Sequence, residues 1–154
     1  MTYDEYKQQR QDAFNSLPIF FAFSKEQFKE AMESRGLTVD DTDKLYSFPG
    51  GGFYLRSDAD IVRAFFNKPD PIKELMNDEG FAESAFYYEM ANHEYHINWQ
   101  GDWDVCSCFG NCEYDEEKTY VDYLKEEGYS DKTILAYHRA RKKFLKYCND
   151  NDMY

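Results

Sequence analysis

LYSFPGGGFYL, residues 45 to 55, is the stretch that decides the fold class. Leu45–Phe48 and Phe53–Leu55 are short runs of the aromatic and apolar type that suits a pleated surface, and the PGGG between them supplies turn residues. The reading is an antiparallel hairpin. Upstream, Ile19 to Phe23 is short, apolar and aromatic enough to be a buried strand, and helix signals surround both. Thr2 with Glu5 fits a capping box, and Tyr3, Tyr6, Ala13 and Phe14 give a helical stripe running to about Asn15, which Pro18 ends. Ser24 with Gln27 opens a second helix carrying Phe28, Ala31 and Met32 on one side, and Gly36 closes it. Downstream of the hairpin, Ser57 with Asp60 opens a third, with Ile61, Ala64 and Phe65 expected to face inward.

The remaining chain reads as helix with one exception. Asp70 followed by Pro71 starts a short helix to about Met76. From Glu79 to about Glu94, the stripe Phe81, Ala85, Tyr88, Asn92, Tyr95 steps by four and three, with Glu83, Glu89 and Glu94 expected on other faces. The exception is Trp103 to Phe109, which alternates as a strand and would turn through Gly110-Asn111 into Cys112–Tyr114. Helices over Glu116–Glu127 and Ser130 to about Cys148 follow, separated by Gly128. The expected architecture is therefore α+β: a mostly helical single domain over residues 1–154 around a small, largely antiparallel sheet. A chain of 154 residues is long enough to bury a core without disulfide or metal support.

Composition narrows the function classes. Aromatics make up 19% of residues, which argues against disorder despite the charge. The net charge of −12 disfavours nucleic acid and anionic membrane as direct ligands and suits a partner whose own surface is basic. The start has neither the basic nor the apolar region of a signal peptide, and the longest apolar run, Ile19 to Phe23, is too short to span a bilayer. A reducing cytoplasm is the expected location, and Cys106, Cys108, Cys112 and Cys148 are expected as free thiols. Charge is also polarised. Asp78 to Glu117 holds eleven acids without a Lys or Arg, whereas Arg139, Arg141, Lys142, Lys143 and Lys146 form a basic cluster.

No stretch carries a recognisable catalytic motif, so no enzyme activity and no cofactor are expected. Cys106, Cys108 and Cys112 with His93 and His96 are residue types that zinc prefers, but their spacing departs from the usual knuckles. On a strand Cys112 would also point away from the other two, so these thiols are read as small semi-buried apolar groups. A Cys108–histidine nucleophile lacks a local signature and a third orienting group. Glu89 and His93, four apart, read as a surface hydrogen bond. PGGG lacks the Lys and Ser/Thr of a phosphate loop and lies between strands.

The acidic segment remains. One reading is a solvated face against which the basic C-terminal helix docks. The leading reading is a nucleic-acid mimic, in which spaced carboxylates take the place of phosphates toward a protein that binds DNA or RNA through many Lys/Arg contacts. The residues assigned to this surface are Glu83, Glu89, Glu94, Asp102, Asp104, Asp115 and Glu116, with Trp99 and Trp103 as aromatic anchors. Two further readings are a zinc- or thiol-dependent binding module centred on Cys106 and Cys108, and a structural or assembly accessory protein.

Three stretches carry a resemblance: LPIFFAFSKEQF from Leu17, YSFPGGGFYLRSD from Tyr46 and NHEYHINWQGDWDVCSCFG from Asn92. Together they resemble an uncharacterised family of short acidic proteins carried by phages and conjugative elements of Gram-positive gut bacteria. The resemblance implies no activity and transfers no functional residue. It does imply a mobile-element setting, where small acidic proteins often inhibit host defence. The expected partner is accordingly a basic nucleic-acid-handling host protein, such as a CRISPR effector or restriction enzyme.

Overall fold

A computed structural model of the chain describes residues 1–110 and 112–154. They form two compact units, one of Met1–Gln9 with Asp70–Tyr154 and the other of Arg10–Pro69. The first helix, α1 (Tyr3–Asn15), starts at the expected capping box: the Thr2 N–H donates to Glu5 Oε2 at 2.8 Å and the Glu5 N–H to Thr2 Oγ1 at 3.1 Å.

The Arg10–Pro69 unit holds the hairpin. After β1 (Ile19–Phe21) and α2 (Lys25–Ser34), β2 (Leu45–Phe48) and β3 (Gly52–Leu55) pair antiparallel, with Leu45 opposite Leu55 and Phe48 opposite Gly52. β1 pairs with the other edge of β3, giving the order β1-β3-β2. The tight turn needs its glycines, because Gly50 and Gly51 both sit at φ +84°, a left-handed conformation that side chains disfavour. Phe20, Met32 and Leu45 form this unit's core, with Phe28 and Phe53 packed against it. The Ser24 hydroxyl caps α2 by accepting from the Gln27 N–H. Helix α3 (Ala59–Asn67) departs from expectation. It follows a 3-10 turn at Arg56–Asp58 without a side-chain cap, and it buries Ala59 and Val62 while Ile61 is 58% exposed and Ala64 exposed. The inward face is thus one residue out of phase with the one read from Ile61.

The other unit is helical: α4 (Ile72–Leu75), α5 (Glu79–Asn92), α6 (Gly101–Ser107), α7 (Tyr120–Glu126) and α8 (Asp131–Asp150). Asp70 Oδ1 accepts from the Ile72 N–H at 3.0 Å and from the Tyr6 hydroxyl at 2.7 Å, which fixes the start of α4 against α1. Helices α5 and α8 pack along one another. Ala82, Ala85, Ala136 and Ala140 are fully buried, and Phe86, Met90 and Phe144 fill the same core. The buried Thr133 hydroxyl is satisfied by the Met76 carbonyl at 2.5 Å.

The expected strand from Trp103 to Phe109 is instead helix α6 and its C-terminal turn. Gly101, Val105 and Phe109 are four apart and all buried, with Cys106 beside them, so burial follows the helical period. A strand would have sent the neighbours Val105 and Cys106 to opposite faces. Asn111, half of the expected hairpin turn, lies outside the described residues, and Cys112–Tyr114 is not a strand. Helix α7 begins at Tyr120 rather than Glu116, where Thr119 and Asp122 form a reciprocal capping box. Among the described residues, no helix is long and apolar enough to cross a membrane.

Candidate functional site

Much of the acidic segment is engaged within its own unit. Glu79 pairs with Arg139 and Glu83 with Lys143, so α8 lays part of its basic cluster against α5. Exposed ion pairs contribute under about 1 kcal/mol each, but these pairs occupy the Glu83 carboxylate. Asp102 Oδ1 accepts from the Tyr95 hydroxyl at 2.7 Å and the Tyr137 hydroxyl at 2.6 Å. Burial, reinforced by the Asp102 charge, raises the Tyr137 phenol far above its ordinary range, so it stays a donor. Asp104 Oδ2 accepts from Asn98 Nδ2 at 2.7 Å. The close approach of α6 to Tyr95 requires a glycine, since a Cβ on Gly101 would lie 2.7 Å from Tyr95 Cδ2.

Glu89 corrects the sequence reading most sharply, because it is 5% exposed and belongs to the interior rather than to a partner-facing surface. It stands one turn beyond the fully buried Ala85, on the inward face that the stripe through Tyr88 had placed elsewhere. Tyr3 donates to its Oε1 at 2.7 Å. Its Oε2 lies 3.3 Å from Cys108 Sγ and 3.4 Å from His93 Nε2, while Cys108 Sγ and His93 Nε2 are 3.3 Å apart. The Glu89–His93 contact is therefore part of a three-membered cluster with a buried base, not a surface pair. Burial first, and then the neighbouring Glu89 charge, push the Cys108 thiol up to about 12.

The other cysteines divide differently. Cys106 and Cys112 are joined sulfur to sulfur, with Cα atoms 6.2 Å apart, which corrects the expectation of free thiols for these two. The strand geometry that separated them does not hold once 103–109 is helical. Cys108 and Cys148 are free, and Cys148 is buried. His96 does not join Cys108: its ring packs on Phe144 and Tyr154, and its buried Nδ1 has no partner among the described residues.

What remains turned outward is smaller than the sequence suggested. Trp99 is 80% exposed, touching Tyr114 edge to face at 5.7 Å, with Ile97 exposed nearby in sequence. Glu94, Glu113, Glu116 and Glu117 are exposed, while Asp115 is half-buried and turns its Oδ1 to the Glu117 N–H. Glu94 is directed outward by the end of α5, where it takes φ +50° while the Tyr95 N–H reaches back to the Met90 carbonyl. Trp103 is half-buried among Tyr114, Tyr120 and Tyr123, so it supports the surface rather than standing on it. Of the nine assigned residues, only Glu94, Trp99 and Glu116 are exposed. The sequence gives no sign of the roles of Tyr3, Asn98 and Tyr137, nor that Tyr95, an aromatic of the acidic segment, turns its hydroxyl to Asp102, because these depend on partners far along the chain or on the turn after α5.

These features define an acidic α+β protein whose carboxylates divide between an internal hydrogen-bonded network and exposed glutamates that flank Trp99 and Tyr114 in sequence. The chain belongs to a family of unknown function (DUF7659), whose model matches residues 2–150. No curated protein and no solved structure matches the chain.

Proposed function

We propose that the protein is a non-enzymatic inhibitor of a nucleic-acid-handling host protein, carried by a mobile element and acting against a defence system of the CRISPR or restriction type. The observation that carries this reading is Trp99, 80% exposed beside Tyr114 in a stretch with eleven acids and no Lys or Arg. An exposed Trp–Tyr pair supplies the contact area typical of binding hot spots, and the surrounding charge selects a basic partner. The mimicking surface is correspondingly narrow, with Glu94, Glu113, Glu116 and Glu117 standing in for phosphates around Trp99. Glu83, Glu89, Asp102 and Asp104 act instead as the scaffold that holds α5, α6 and α8 in place.

The test is affinity capture from a bacterial host lysate with wild-type protein and Trp99→Ala, washed at low and at high salt. The reading expects a nucleic-acid-binding protein that is retained by wild type at low salt, released at high salt and lost by Trp99→Ala. Capture that is indifferent to both salt and Trp99 removes the reading, since screening acts most strongly on exposed charge.

A further inference from the structure

The Glu89, His93 and Cys108 cluster is unused by the proposed partner surface, and its shape asks for an explanation of its own. Glu89 and His93 stand four apart at the end of α5, the spacing that puts two ligands on one helix face. Cys108 caps the C-terminus of α6 and brings the third donor across from a separate element. The three donor atoms form a nearly equilateral triangle, 3.3, 3.3 and 3.4 Å on a side. Zinc bond lengths to sulfur, imidazole nitrogen and carboxylate oxygen, set at tetrahedral angles, separate the ligand atoms by about 3.3–3.7 Å.

We propose that Glu89, His93 and Cys108 form a zinc site, with water in the fourth position on the side where Cys108 and His93 reach the surface. The nitrogen, sulfur and oxygen donor set matches zinc's preference among common divalent ions. Tyr3 supplies the outer support: its hydroxyl holds Glu89 Oε1 at 2.7 Å, while Oε2, which also accepts from Asn92 Nδ2 at 3.3 Å, faces His93 and Cys108.

The main competing use of the same residues is a cysteine nucleophile with a histidine base, and the geometry opposes it. In such a relay the carboxylate holds the far nitrogen of the imidazole. Here Glu89 approaches Nε2, the same nitrogen that meets the sulfur, and it also contacts the sulfur itself. The arrangement is convergent, as around an ion, with all three donor atoms facing one another.

The experiment uses the full chain, stripped of metal and titrated with Zn2+ and separately with Co2+, whose thiolate charge-transfer absorption reports sulfur ligation. Wild type is expected to take up one ion per chain with a thiolate band. Cys108→Ser and His93→Gln are each expected to lose it, and Tyr3→Phe to weaken it by about 10–100-fold. The double variant Cys106→Ser/Cys112→Ser and the single variant Cys148→Ser are expected to keep the site. Far-UV circular dichroism of each variant shows whether a loss reflects unfolding; if Cys108→Ser does not fold, the thiolate band in Cys106→Ser/Cys112→Ser/Cys148→Ser decides alone, because only Cys108 is left to produce it. Absence of stoichiometric uptake by wild type, uptake that survives Cys108→Ser, or absence of the band in the triple variant overturns the proposal.

Discussion

Raising the pH above 10 should unfold the unit formed by residues 1–9 and 70–154, and the reason lies in its buried phenols. Tyr3, Tyr120 and Tyr137 are each 5% exposed or less, and desolvation is the largest cause holding all three protonated well above the ordinary value of 10.0. Hydrogen bonds and charge from Glu89 add to this at Tyr3, as Asp102 does at Tyr137. The folded state therefore grips these protons more tightly than the unfolded chain. Their contribution to stability is complete below pH 10 and declines as pH rises, because only the unfolded chain ionises there. Each such group removes about 1.4 kcal/mol per pH unit, so the three together remove about 4 kcal/mol per unit. At that slope a domain stability of about 5–15 kcal/mol is consumed between roughly pH 11 and 14. Urea titrations followed by far-UV circular dichroism at pH 8, 10, 11 and 12, with tyrosinate absorbance measured in parallel, check this. A urea midpoint that stays level while all tyrosines ionise near pH 10 in folded protein would refute the reasoning.

Substitutions at three positions probe the scaffold by urea denaturation. Gly101→Ala forces Tyr95 away from α6 and is expected to cost about 1–3 kcal/mol through overpacking. Asp102→Ala removes the acceptor of the Tyr95 and Tyr137 hydroxyls and is expected to cost about 2–4 kcal/mol, whereas Asp102→Asn, which keeps an acceptor, should cost less. Lys143→Ala breaks the pair with Glu83 at an exposed position and is expected to cost no more than about 1 kcal/mol.

Local signals made the hairpin and most helix starts legible. PGGG between two aromatic runs, Thr2 with Glu5 and Ser24 with Gln27 each act within a few residues, and each forms as read. The segment 103–109 was misread because a short run with Val105 and Cys106 adjacent fits either period, and tertiary packing decides between them. Charge gave a partial guide to the site. The run of acids from Asp78 to Glu117 was plain, but which of them face outward depends on Arg139, Lys143, Tyr3 and Tyr137, each supplied from 40 or more residues away except where Tyr137 meets Asp102 at 35. The Glu89–His93 spacing was visible; that Cys108 would complete a triangle with them was not, because α6 had been read as a strand.

The most direct test of the proposed function compares two sets of substitutions in the same capture assay. Glu94→Lys, Glu116→Lys and Glu117→Lys together reverse the outward patch, while Glu79→Gln and Glu83→Gln together neutralise carboxylates that α8 already occupies. The first set is expected to abolish salt-sensitive retention of a nucleic-acid-binding protein and the second to preserve it. Retention that survives reversal of the outward patch would contradict the account.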